Sequence, residues 1–327
     1  MASTLQQPVS LQTDDSASGD TEIAKLTQEV QRGQFDGLRD YLANSRTSGD
    51  WQDRVYVLER IAPKVSIDAL EIACTAEPDA VDLLLTRCAY YAELAKTMRG
   101  TGTSDQVGSA RFQNAAACVR ASLTDMTRST QIDSEDPTAY TLVLKPLTIF
   151  SQTELQQKAF AKATAIAPGF VSPCFALIPS FSKRWGGSHE ASLAFARQAM
   201  TKAAPGSDMA ACLFWAHTLV RTHFLHFDKD VQSAKRYASR SEVVSELNAA
   251  LDGWLAPCFT VRRSSIPFLH KASEWYRAVI DIDRLDRVIA VTGEERKLPA
   301  EAGNLIRRTT SAQKSGGGLL GWILGGR

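Results

Sequence analysis

The feature that most constrains this chain is a run of apolar residues at helical spacing, cut into units by proline. Glu77-Pro78, Asp136-Pro137, Ala167-Pro168 and Ala204-Pro205 each close one periodic segment and open the next, at intervals of 59, 31 and 37 residues. Proline disfavours helix in the residue before it yet tolerates a first helical position, so each pair reads as a boundary between helices. Between the boundaries, apolar residues recur three and four apart. Ile23, Leu26 and Val30 form one stripe, Val81, Leu84, Leu85, Cys88 and Tyr91 a second, and Leu155, Ala159, Ala163 and Ile166 a third. Phe112, Ala116, Val119 and Leu123 predict another inward face, on a helix from about 106 to 130. Sustained alternation of apolar and polar residues is absent, so the expectation is an all-α fold.

The stretch 168–205 reads as a helical hairpin. A first helix runs to Arg184, Trp185-Gly186-Gly187 makes the turn, and a second helix begins at the N-cap Ser188 and carries Leu193, Ala196, Met200 and Ala203 on one face. A period of 31 to 37 residues resembles tetratricopeptide-like hairpins, whose nominal repeat is about 34 residues. The resemblance implies helical hairpins stacked as a solenoid or compact superhelix. Met98-Arg99-Gly100, Leu144-Lys145-Pro146, Lys183-Arg184-Trp185-Gly186-Gly187-Ser188-His189-Glu190, Phe195-Ala196-Arg197, Pro205-Gly206-Ser207 and Ala216-His217 occur in this order. Together they resemble a bacterial domain-of-unknown-function family over roughly residues 50–290. That resemblance implies a helical-repeat fold and carries no activity, substrate or cofactor.

Composition narrows the function classes. A formal net charge of +1 gives no global field to steer the chain onto nucleic acid. Arg262-Arg263 and the basic C-terminal segment are too sparse for such a footprint. The six cysteines form no Cys-x-x-Cys pair, and are expected as buried free thiols in a reducing cytoplasm. The N-terminus lacks both a basic region and an apolar run, so no signal peptide is expected.

Three segments follow: a disordered stretch 1–20, a helical-repeat domain 21–293, and a basic, Gly-rich tail 294–327. The tail ends in Leu319, Leu320, Trp322, Ile323 and Leu324 behind a glycine hinge. This apolar block is too short to span a bilayer. It can fold back on the chain, dock on another protein, or insert at a membrane surface with its cations on anionic lipid.

Catalytic signals are weak. His223 and His226 share a helix face and could supply two metal ligands, but His217 points about 120° away from His223 on a helical wheel. His217 lies on an apolar stripe, where a histidine is usually a satisfied core residue. The glycines of Trp185-Gly186-Gly187 and of 99–105 follow no strand and lack the Gly-Lys-Ser/Thr ending of a phosphate loop. The expectation is a non-enzymatic, cofactor-free interaction scaffold for a protein or peptide. Trp185, His189, Arg197 and the five apolar tail residues are its candidate binding residues. The alternatives are a membrane-recruited protein using the tail, and an enzyme or metal protein centred on His217, His223 and His226.

Overall fold

A computed structural model describes residues 20–100, 107–201 and 203–292. The N-terminal stretch 1–19, most of the glycine-rich turn at 99–105, and the tail with Leu319, Leu320, Trp322, Ile323 and Leu324 lie outside the described residues. Every regular element among the described residues is a helix, without a β-strand, as the periodicity predicts. None of their helices is long and apolar enough to cross a membrane. The chain divides into two compact units, one ending at Ala203 and one beginning at Ala204.

Unit one opens with α1 (Thr21–Gln31), α2 (Asp36–Ser48), α3 (Trp51–Ile61) and α4 (Ile67–Ala76). The first and third start on side-chain caps: Asp20 accepts from the Ile23 amide at 3.1 Å and Asp50 from the Asp53 amide at 3.2 Å. The unit is built on α5 (Val81–Arg99) and α6 (Ser109–Ile132). Arg128 bonds Asp79, Arg87 bonds Asp125, Ser122 reaches the Cys88 carbonyl and Arg111 reaches the Met98 carbonyl. Partners thus descend α6 as they ascend α5, so the two helices run antiparallel. Leu83, Leu84, Leu85, Cys88, Ala89, Tyr90 and Ala92 of α5 are all buried, which makes it the central helix of the unit.

The inward face of α6 differs from its apolar stripe. Ala115, Cys118, Val119, Ser122, Asp125 and Ser129 are buried, while Phe112 is 41 % exposed and tilts against Phe150. Polar residues take the inner positions because they bond α5: Arg87 holds both Asp125 oxygens at 2.9 and 2.7 Å, and Ser122 donates to the Cys88 carbonyl at 3.0 Å. An apolar count is blind to such a face.

Next come α7 (Thr138–Leu142), α8 (Leu144–Ile149), α9 (Thr153–Ile166), α10 (Val171–Leu177) and α11 (His189–Met200). The chain breaks at Val143 between α7 and α8, because Pro146 has no amide to return to the Leu142 carbonyl. Likewise the first arm of the 168–205 hairpin is not one helix. It stops at Leu177, passes into a 3-10 turn over Ile178–Phe181 that begins around Pro179, and then into another over Lys183–Trp185. The second arm begins as expected, with the Ser188 hydroxyl accepting from the Ala191 amide at 3.0 Å, but it ends at Met200, short of Ala203.

Unit two comprises a 3-10 turn over Asp208–Ala210, α12 (Ala211–His226), α13 (Val231–Ala238), α14 (Ser241–Trp254), α15 (Ile266–Val279) and α16 (Ile282–Thr292). Phe214 packs edge-on to Tyr276 with centroids 5.6 Å apart and tilts against Trp254. The Trp254 indole donates to Asp208 at 2.9 Å, as Ser265 does at 2.7 Å, tying the entry turn to α14 and α15. Five cysteines are buried and free. Cys258 is exposed, against the expectation that all six are internal.

Arg54 is the deepest charge in unit one, with 1 % of its side chain exposed. Its guanidinium donates to Asp136 at 3.1 Å, to Asp82 at 2.8 Å and to the Leu42 carbonyl. Arg54→Ala is expected to destabilise the unit by about 3–5 kcal/mol, because Asp136 is left buried without its cation. Urea denaturation followed by circular dichroism measures the loss, and a change under 1 kcal/mol contradicts this account.

Gly187 generates a second expectation. A Cβ built there lies 2.0 Å from the Phe181 carbonyl oxygen, which accepts from the Ser188 amide at 2.9 Å. Gly187→Ala must therefore push the turn apart, at about 1–3 kcal/mol. Gly253→Ala, where a Cβ meets nothing within 4 Å, serves as the tolerated control in the same denaturation measurement.

Candidate functional site

The corner between Leu177 and α11 places Trp185. Gly186 takes a left-handed φ of 86°, which ends the 3-10 turn, and the chain reverses into the Ser188 cap. Phe181 stacks on Phe195 of α11 with centroids 4.8 Å apart, and Phe195 meets Phe160 of α9 edge-on at 5.6 Å. These rings anchor the corner from both sides. Trp185 is half-buried and lies under two guanidinium groups. Arg184, its neighbour in sequence, and Arg99, at the end of α5, each sit 5.6 Å from the indole centroid. A cation on an indole face contributes about 0.5–2 kcal/mol. Arg99 itself is only 8 % exposed and donates to the Gly100 carbonyl at 3.2 Å.

A second charged group lies on α3, α5 and α8. Lys145 of α8 bonds Glu59 of α3, and Lys96 bonds Glu93 within α5. Glu59 and Lys145 keep 33 % and 37 % of their side chains exposed, yet burial is the largest single influence on both. Both side chains therefore keep partial access to solvent. Burial pushes the Glu59 carboxyl up, but Lys145, Lys96 and Arg60 together bring it below its ordinary value. Burial pushes Lys145 down, and Glu59 with Glu93 lifts it above its ordinary value. Both groups stay charged at neutral pH. The pair can hold polar groups of a ligand; neither member is tuned to exchange a proton.

Of the candidate binding residues, Trp185 is the one the structure sets among cations. His189 is the first residue of α11, half-buried, and Arg197 lies exposed in its last turn. The apolar tail residues lie outside the described residues. The sequence reading missed Arg99, Glu59 and Lys145 as site residues. Met98-Arg99-Gly100, Leu144-Lys145-Pro146 and the segment around Trp185 carry the family resemblance, but nothing in their spacing shows that Arg99 and Trp185 meet.

The histidines of unit two are not assembled into a metal centre. His217 is 1 % exposed, with Nδ1 2.7 Å from the Tyr237 hydroxyl and Nε2 3.0 Å from Glu246. It is a satisfied core residue bridging α12, α13 and α14. His223 stacks on Phe227 and lies 3.5 Å from Asp228, while His226 is exposed. No group of three or more His, Cys, Asp or Glu side chains that could hold a metal occurs among the described residues.

Comparison with known proteins adds no identity: no protein-family model and no curated protein matches the chain.

The charge balance of the Glu59–Lys145 pair generates one prediction. In Lys145→Met, burial acts on Glu59 with its main cation gone, so its carboxyl titration midpoint moves up. In the wild type the depressed carboxyl stabilises the fold at neutral pH, and that contribution fades as pH falls through the carboxylate range. In the variant it is reduced or reversed. Carboxyl carbon NMR titration reads the midpoint, and an unchanged value contradicts the pairing.

Proposed function

We propose that the protein is a non-enzymatic interaction module, whose helical hairpins form a tetratricopeptide-like array stacked as a solenoid or compact superhelix. Helical arrays of this kind act through surface, offering grooves to peptides and protein partners. The observation that carries the reading is the electrostatic state of unit one. Glu59 and Lys145 are both charged and about one third exposed, and beside the chain reversal a half-buried indole lies under two guanidiniums. Indole and guanidinium are the groups that most often dominate binding energy at interfaces. Buried thiols that remain free agree with work in a reducing compartment such as the cytoplasm.

The antiparallel α5/α6 pair supports a hairpin as the building unit. The departures within 138–185, where prolines break the helices, shape the surface locally and leave the reading intact.

Affinity capture from native lysate tests this, comparing the full chain, its Trp185→Ala variant and a chain ending at Lys314. A protein retained by the full and shortened chains and lost from Trp185→Ala is the expected result. Retention by Trp185→Ala together with loss from the shortened chain moves the binding surface to the apolar tail and overturns the reading for unit one.

A further inference from the structure

Among the described residues, every buried or half-buried arginine has a partner except one. Arg221 of α12 is half-buried and makes no hydrogen bond, ion pair or ring contact. Arg32 and Arg120 also stand without partners, but both lie exposed to water. Burial alone holds the Arg221 guanidinium below its ordinary value, and no neighbouring charge of either sign acts on it.

Three positions earlier on the same helix, the Thr218 hydroxyl is buried and likewise unbonded. Threonine in a helix commonly turns its hydroxyl to the carbonyl one turn back, as Thr86 does to Asp82 at 2.7 Å and Thr164 to Phe160 at 2.9 Å. Thr218 does not. Residues three and four apart share a helix face, which places Phe214, Thr218, Arg221 and Leu225 together. Phe214 is fully buried against Trp254 and Tyr276, and Leu225 is half-buried. The two polar groups of this otherwise apolar face are both unused.

What the pair lacks is an acceptor. A guanidinium presents its donors as a planar fork that matches the two oxygens of a carboxylate, and a hydroxyl adds one donor more. Charge selects among oxyanions. One unpaired cation balances the single negative charge of a carboxylate, whereas a phosphate group at about −1.5 to −2 stays in excess.

We propose that Arg221 and Thr218 form a docking point for a carboxylate, carried by an acidic side chain or chain end of a protein partner. Partly desolvated arginine is among the residues that dominate binding energy at interfaces. This docking point belongs to unit two and does not depend on the Trp185 surface of unit one.

The test uses the full chain with isotope-labelled arginine. The Arg221 Nε–Hε signal is the one that Arg221→Met removes from the NMR spectrum. Glutarate and inorganic phosphate are titrated in, with sodium chloride at matched ionic strength as the control. A saturable shift of this signal by glutarate is expected, with affinity about fivefold weaker in Thr218→Val, the loss of one neutral hydrogen bond. No shift, a shift matched by chloride, or equal affinity in Thr218→Val overturns the proposal. Phosphate saturating more tightly than glutarate overturns the choice of carboxylate. Urea denaturation of Arg221→Met checks the premise: no bond is lost, so its stability equals or exceeds that of the wild type, and a clear loss reveals a structural partner and overturns the site. Trp185 takes no part in the titration, so failure here leaves the Trp185→Ala capture result standing, and the reverse.

Discussion

The guanidinium of Arg54 is the constraint on which unit one depends. Removing a charge from water costs several kcal/mol even after relaxation, so a fully buried arginine persists only where every direction is answered. Here α3 supplies the cation, α5 supplies Asp82, Asp136 stands at the entry to α7, and α2 gives the Leu42 carbonyl. Asp136 also accepts from the Thr138 amide at 2.8 Å, so the same carboxylate starts the helix it helps to dock. Apolar packing alone tolerates sliding between helices. A fixed fork of donors does not, and it sets the register of these four segments.

The same logic repeats outward with falling burial. Arg87 grips Asp125 through two nitrogens and Glu71 through a third, and Glu71 accepts in turn from Tyr91 at 2.6 Å. Arg46 makes a two-pronged bond to Asp133 at 2.7 and 3.0 Å, which holds that carboxyl below its usual range. Each arginine here meets a carboxylate in planar, two-point geometry, where lysine could not replace it. Around Trp185 the pattern changes. Arg99 and Arg184 each lie 5.6 Å from the indole centroid, and burial together with the nearby Arg184 charge holds Arg99 below its ordinary value.

Unit two ties its buried polar groups through single hydrogen bonds from imidazole, indole and hydroxyl groups. His217 lies between a phenol and a carboxylate, and Tyr276 reaches the Leu247 carbonyl and Asn248 from α15. Asp208 takes two donors, yet burial still pushes its carboxyl up. Aromatic rings of α12, α14 and α15 fill the space between these bonds. The core is therefore specified by where indole and phenol groups find acceptors, a requirement that large amphipathic side chains impose whenever they are buried.

Local sequence determined the helices and most of their ends. Apolar spacing, the caps Asp20, Asp50 and Ser188, and prolines after α4 and α9 act within a turn or two, so they are visible without any tertiary contact. The burial of His217 was legible for the same reason: it lies on an apolar stripe. Where polar side chains turned inward, the pattern misled. The inner face of α6 is laid down by Ser122 and Asp125, and their partners are 34 and 38 residues away on α5. Pro179 and Pro146, inside segments that scan as helix, changed the local path that apolar spacing alone predicts. The meeting of Arg99 with Trp185 belonged wholly to tertiary structure. Sequence showed two unusual segments; only the packing of α5 against the corner before α11 could bring them together, because a long-range contact leaves no period in the chain.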